Sequence, residues 1–154
     1  MFNIKKSLLC ISAISCMSLY ADPIEVDNPI TIGKTTTGKA VATGLTNTTY
    51  YNYWEDSNTY VFNRSSNNGG KNWIANKPVT IDEDYTLKLI KTGYTDYKSV
   101  LYCDNTFAND GNVIIDNYGG LLIDYDNKTT IDTSTNNGTI KINNGRLVLY
   151  CNVT

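Results

Sequence analysis

Two carboxylate runs, Asp82-Glu83-Asp84 and Asp124-Tyr125-Asp126, carry the densest ionisable chemistry in the chain. Acids at i, i+2 spacing suit a calcium site or the acidic centre of a glycan-cleaving enzyme. Calcium, however, takes about six to eight oxygen ligands, and a glycosidase needs two carboxylates facing each other across a substrate. Neither arrangement is spelled by short runs beside turn residues, and the Gly-Gly-x-Gly-x-Asp calcium repeat is missing. These acids therefore read as solvated turn charges. The chain has no His, which excludes His-dependent triads and most zinc sites. No catalytic, cofactor-binding or metal-ligating residue is assigned, no cofactor is expected, and the expectation is a protein that is not an enzyme.

Of 4 cysteines, Cys10 and Cys16 fall in an N-terminal apolar segment, while Cys103 and Cys151 each close a Val-Leu-Tyr-Cys tetrapeptide, at 100–103 and 148–151. In an oxidising compartment such a pair is a candidate disulfide. A bridge needs α-carbons within about 7 Å. Cys103 and Cys151 meet this if the chain between them makes one extended circuit. Two circuits would leave the pair about 10 Å apart.

Residues 47–75 hold the aromatic cluster Tyr50, Tyr51, Tyr53, Trp54, Tyr60, Phe62 and Trp73. Exposed rings supply rigid contact area for a sugar or protein partner, so Tyr50, Tyr51, Tyr53, Trp54, Tyr60 and Trp73 form a candidate binding surface. The competing and preferred reading is a cap that covers the end of a hydrophobic core.

What positions these groups is legible from composition and repetition. The chain carries 20 Asn, 20 Thr and 12 Tyr against 3 Pro. Asn competes with helical hydrogen bonds, and β-branched or aromatic side chains lose rotamer freedom in helices, so the class is all-β. Asn109-Asp110-Gly111 precedes Val113-Ile114-Ile115, and Asp116-Asn117-Tyr118-Gly119 precedes Leu121-Leu122-Ile123. The same phrase returns as Asn136-Asn137-Gly138 before Ile140-Lys141-Ile142, then Asn143-Asn144-Gly145 before Leu147-Val148-Leu149, so that Ile140 stands one repeat after Val113. A less Gly-rich copy, Val79-Thr80-Ile81 then Leu87-Lys88-Leu89, lies upstream.

Strands this short cannot bury a face alone, but stacked about 4.8 Å apart each gains a hydrogen-bonded neighbour, with Asn and Gly at the corners. The pattern predicts a right-handed parallel β-helix, a solenoid, incomplete at its C-terminus and carrying an aromatic-rich N-terminal cap. An antiparallel β-sandwich built on Asn-Gly hairpins is the alternative.

Residues 1–21 read as a secretory signal: Lys5 and Lys6, an apolar stretch from Leu8 to Leu19, and Ala21 at the cut. A lipoprotein signal ending at Cys16 is the alternative. The division that follows is 1–21 signal, 22–75 capping region with aromatic insertion, and 76–154 repeats truncated at the C-terminus. Removing the signal takes Lys+Arg from 13 to 11 and leaves Asp+Glu at 15, a net charge of −4. A mildly acidic chain without a basic cluster argues against nucleic-acid partners.

The run of Asn-Asn/Asp-Gly, a three-residue β phrase, then Asn-rich turn and Leu-x-Leu/Ile, behind an export signal, resembles the passenger regions of bacterial autotransporters and haemagglutinin-like adhesins over residues 76–154. The resemblance implies export and a place on the cell surface, at the outer membrane or outside the cell. It implies work in display and adhesion toward a host or neighbouring-cell surface protein or glycan. The C-terminal barrel that anchors such passengers is missing from this chain. Its open end leads to an expectation of end-to-end self-association. The alternatives are a fragment of a carbohydrate-active β-helix enzyme and a periplasmic or pilin-like β-sandwich subunit.

Overall fold

The computed structural model describes residues 24–45, 52–65, 73–92, 99–123 and 134–149, and among these every regular element is a strand. Numbered along the chain, fifteen strands form three five-stranded sheets. The first sheet runs in the order β1 (Ile24–Val26), β6 (Trp73–Ala75), β9 (Ser99–Cys103), β12 (Gly119–Ile123), β15 (Arg146–Leu149). The second runs β3 (Ala40–Thr43), β2 (Ile30–Lys34), β7 (Val79–Ile81), β10 (Phe107–Asn109), β13 (Thr135–Asn136). The third runs β4 (Tyr53–Trp54), β5 (Thr59–Ser65), β8 (Thr86–Thr92), β11 (Asn112–Ile115), β14 (Thr139–Ile142).

The apolar alternation in each strand becomes a column across its sheet. In the first sheet Trp73, Leu101, Leu121 and Leu147 are level, as are Ala75, Cys103, Ile123 and Leu149. In the third, Tyr60, Leu87, Val113 and Ile140 align, with Phe62, Leu89, Ile115 and Ile142 two positions on. In the second, Ile30 meets Val79 and then Phe107. From Ile30 to Ile123 these column residues are buried in one cluster shared by all three sheets. Each Leu or Ile so enclosed contributes about 1.5–3 kcal/mol of transfer free energy. That gain offsets the ordering of strands too short to hold a face alone.

The corners explain the Asn and Gly of the repeat. β10 pairs with β13 and β11 with β14, Ala108 opposite Thr135 and Asn112 opposite Thr139. Side chains bridge the same corner at the same interval, Asn109 to Asn136 and Asp110 to Asn137, each 27 positions apart, which is the spacing of the sequence repeat. Backbone approaches so closely at these corners that a Cβ on Gly111 would collide with the carbonyl oxygens of Asp82 and Tyr85, and one on Gly138 with that of Gly111. Glycine is required there for space.

The architecture corrects the expectation of a single right-handed parallel β-helix beneath a separate aromatic cap. Three sheets face one another across a common core in a sandwich-like manner, and two of them are mixed. Local turn chemistry is the cause. Between β2 and β3, Gly38 adopts φ 80° and donates its amide to the Thr35 carbonyl at 2.9 Å, folding β3 back antiparallel on β2. Between β4 and β5, the Asp56 carboxylate accepts the amides of Asn58 at 2.8 Å and Thr59 at 2.6 Å, and reverses the chain likewise. Residues expected only to cap the core instead contribute β1 to β6, strands in all three sheets. The antiparallel sandwich is corrected too, since every pairing other than β2–β3 and β4–β5 among the described strands is parallel.

Candidate functional site

Three turns converge where the second sheet meets the third, and between them lies a cleft of about 610 Å³. One wall is the β2–β3 hairpin. Thr35 donates its amide to Lys39 O at 2.9 Å and Lys39 returns its amide to Thr35 Oγ1 at 3.2 Å, which sets Lys34 and Lys39 on the same wall. The opposite wall is the β7–β8 turn, in which Asp82 donates its amide to Ile32 O at 2.9 Å, Tyr85 donates to Asp82 O at 3.1 Å, and Asp84 takes the left-handed φ of 68°. The third element is the β4–β5 turn, with Ser57 and Asn58; Asn58 Nδ2 donates to Asp84 O at 3.3 Å and ties two walls together.

A Cβ on Gly33 would collide with the Asp82 carboxylate, so the bare backbone at that position is what lets the carboxylate lie across β2. The cleft thus faces two ammonium groups, Lys34 and Lys39, toward three carboxylates, Asp82, Glu83 and Asp84. Among the described residues none of these five is in an ion pair; Lys88 with Glu55, at 2.9 Å, is the pair that forms. Both signs of charge are therefore available to a bound molecule. The volume falls within the roughly 300–1,000 Å³ usual for ligand sites.

Around the cleft the electrostatics are local. The backbone amide of Asn58 holds the Asp56 carboxyl below its ordinary pKa, helped by Thr59. The hydrogen bond to Glu55 raises the Lys88 ammonium above its ordinary value, and burial raises the Tyr60 phenol. No group of three or more Cys, Asp and Glu among the described residues is placed to hold a metal. The cleft can recognise a polar ligand by charge and hydrogen bonding; Ser57 is its one hydroxyl besides the phenol of Tyr85.

The residues singled out from sequence are placed variously. Asp82, Glu83 and Asp84 line the cleft, while Asp124 and Asp126 lie outside the described residues. Tyr53 is exposed and Trp54 half-buried, the latter edge-on to Tyr60 at 5.1 Å and to Tyr85 at 6.4 Å. Tyr60 and Trp73 are buried, Trp73 packing edge-on to Phe62 at 4.7 Å, so their rings serve the core. Tyr50 and Tyr51 lie outside the described residues. Cys103 is buried in β9 and level with Ile123 and then Leu149, two strands away; Cys151 lies outside the described residues, as do residues 1–21. Sequence reading missed Lys34 and Lys39. Their signal was Thr35-Thr36-Thr37-Gly38, a turn phrase held between two lysines.

No protein-family model, curated protein or solved structure matches the chain.

Proposed function

We propose that the chain is an exported segment, displayed at the cell surface or released outside the cell, that works by display and adhesion in the manner of autotransporter passengers and haemagglutinin-like adhesins. The observation that carries the reading is the in-register stacking of successive Asn-Gly units, β10 on β13 and β11 on β14. Strands held in register around one buried core make a stiff all-β body that can present an exposed face to a partner. The mixed-charge cleft gives that face a contact site for a surface protein or glycan. The export signal read in residues 1–21 supports the same address.

The test is fractionation of the producing cell, with the N-terminus of the recovered chain sequenced. Recovery in the outer-membrane or extracellular fraction with Asp22 first supports the reading. Recovery in the cytosol with Met1 retained ends it. Binding of the recovered chain to whole target cells, weakened when Lys34 and Lys39 are both changed to Gln, would tie adhesion to the cleft.

A further inference from the structure

Three non-glycine residues among those described take a left-handed backbone: Asp84 in the cleft, and the neighbours Asn117 (φ 43°) and Tyr118 (φ 62°) at the β11–β12 corner. Left-handed φ costs about 1–2 kcal/mol per residue for an L-side chain, and such strain gathers where a site requires a particular aim. At this corner the aim is outward. Tyr118 is 58 % exposed, held by its amide donating to Asn144 O, while Gly119 donates to Asp116 O at 2.8 Å and Asn117 donates its amide to Asp116 Oδ1 at 2.8 Å.

Beside that ring lies a second hollow, about 210 Å³, lined by Tyr118, Gly119, Asn144, Gly145 and Arg146. Arg146 is exposed, and its guanidinium makes no ion pair among the described residues. Gly145 is required for space, since a Cβ there would collide with Ile115. The hollow is thus lined by a tyrosine, an asparagine and an arginine beside two glycines. A ring stacks on the apolar face of a pyranose, an amide serves hydroxyls as donor and acceptor, and a guanidinium holds a carboxylate through two parallel hydrogen bonds. The volume lies below the range usual for larger ligands, which suits one ring.

We propose that the Tyr118–Arg146 hollow binds a single carboxylated sugar, of the uronic acid class. It is distinct from the mixed-charge cleft and does not depend on where the chain is displayed. Arg146 takes the carboxylate, Tyr118 takes the sugar face, and Asn144 takes a ring hydroxyl.

The experiment is calorimetric or ligand-observed NMR titration of the full chain with glucuronic acid, its methyl ester and glucose. The expected result is glucuronate bound at least about tenfold more tightly than glucose or the ester, the scale of one charge-assisted pair. Arg146→Gln removes that preference. Arg146→Lys, which keeps the charge and loses the fork, keeps only part of it. Tyr118→Phe binds like the parent, and Tyr118→Ala weakens all three sugars. Because both side chains are exposed, Arg146→Gln and Tyr118→Phe leave the unfolding midpoint unchanged, which separates lost binding from lost folding. Equal affinity for glucuronate and glucose overturns the proposal, as does an Arg146→Gln chain that keeps the charge preference. Cell fractionation tests the display reading separately, so failure of one leaves the other standing.

Discussion

Asn109 donates Nδ2 to the Oδ1 of Asn136 at 2.7 Å, and the two occupy matching positions on the paired strands β10 and β13. On the other side of Asn109 the same column holds Ile81 and then Ile32. An aliphatic column thus becomes an amide column in mid-sheet. Asn109 is 0 % exposed, and among the described residues its Oδ1 is buried without a hydrogen-bond partner, since the neighbour on that side, Ile81, offers an aliphatic side chain.

Cutting that pair on one side is expected to cost more than replacing it whole. Asn136→Ala leaves the Asn109 amide only the Thr139 carbonyl at 3.4 Å, and the loss should be about 1–3 kcal/mol. Asn109→Ile with Asn136→Val extends the column of Ile32 and Ile81 and should stand near the parent, since replacing both partners removes the unpaired oxygen as well. Urea unfolding of the two variants checks the order; a double variant less stable than Asn136→Ala would show that the amide column contributes more than its single bond.

Glycine replacement should separate space from conformation. Gly38 has φ 80° with only Lys34 Cε nearby, at 3.8 Å from an added Cβ, so Gly38→Ala should cost about 1–2 kcal/mol from the left-handed backbone alone. Gly111→Ala drives a methyl into the carbonyls of Asp82 and Tyr85, which cannot move without breaking the hydrogen bonds they accept from the Tyr85 and Asn112 amides. Its cost should reach about 3 kcal/mol or more, the upper range of overpacking. Thermal unfolding of both variants decides, and equal losses would mean the corners are looser than the contacts imply.

How much of this was legible in the sequence depends on which residues spoke. The Asn-Gly phrases announced the strands around 113–115, 121–123, 140–142 and 147–149 and their offset, because a corner that excludes Cβ admits little else, but they hid β10 and β13, whose last residues Asn109 and Asn136 read as corner. The alternation Leu87-Lys88-Leu89 told which side chains face inward. The antiparallel turns were harder to read, since Asp56 acts through two backbone amides and Gly38 sits in a Thr run without an apolar alternation to frame it. The cleft was half legible: Asp82-Glu83-Asp84 stood out as charge, whereas Lys34 and Lys39 join them only through a hairpin whose pairing is tertiary. Tyr60 and Trp73 looked available for binding because an aromatic-rich stretch carries the same residue types whether its rings face solvent or core.

The Lys88–Glu55 pair sets a pH expectation. Lys88 is folded with its ammonium raised above its ordinary 10.5, first by the hydrogen bond to Glu55. A raised folded value means stability that is whole below the unfolded pKa and lost as pH climbs through the folded one. Lys88→Met should therefore lower stability at neutral pH, by only about 0.5 kcal/mol because the partner carboxylate is partly in water and screened. The gap between variant and parent should close in alkali above about pH 10.5 and narrow in high salt. Paired urea curves at neutral and alkaline pH measure it; a gap that widens in alkali would remove the ion pair as its source.

The last strands of the three sheets, β13, β14 and β15, are the place to look for self-association. The columns that bury Leu89, Ile115, Leu121 and Ile123 continue onto them, yet Ile142 and Leu149 are each 47 % exposed and among the described residues their strands have one neighbour apiece. An edge with free backbone groups and apolar side chains is a template for another strand, and the occupant that extends those columns in kind is a second copy of this chain. Residues 22–154 in isolation should thus sediment as oligomers at micromolar concentration. Ile142→Lys with Leu149→Lys should shift them to monomer at little cost in stability, because both side chains already stand half in water. A parent chain that sediments as a monomer would show that this edge is covered by residues outside those described, and a charged variant that stays oligomeric would move the interface to another face.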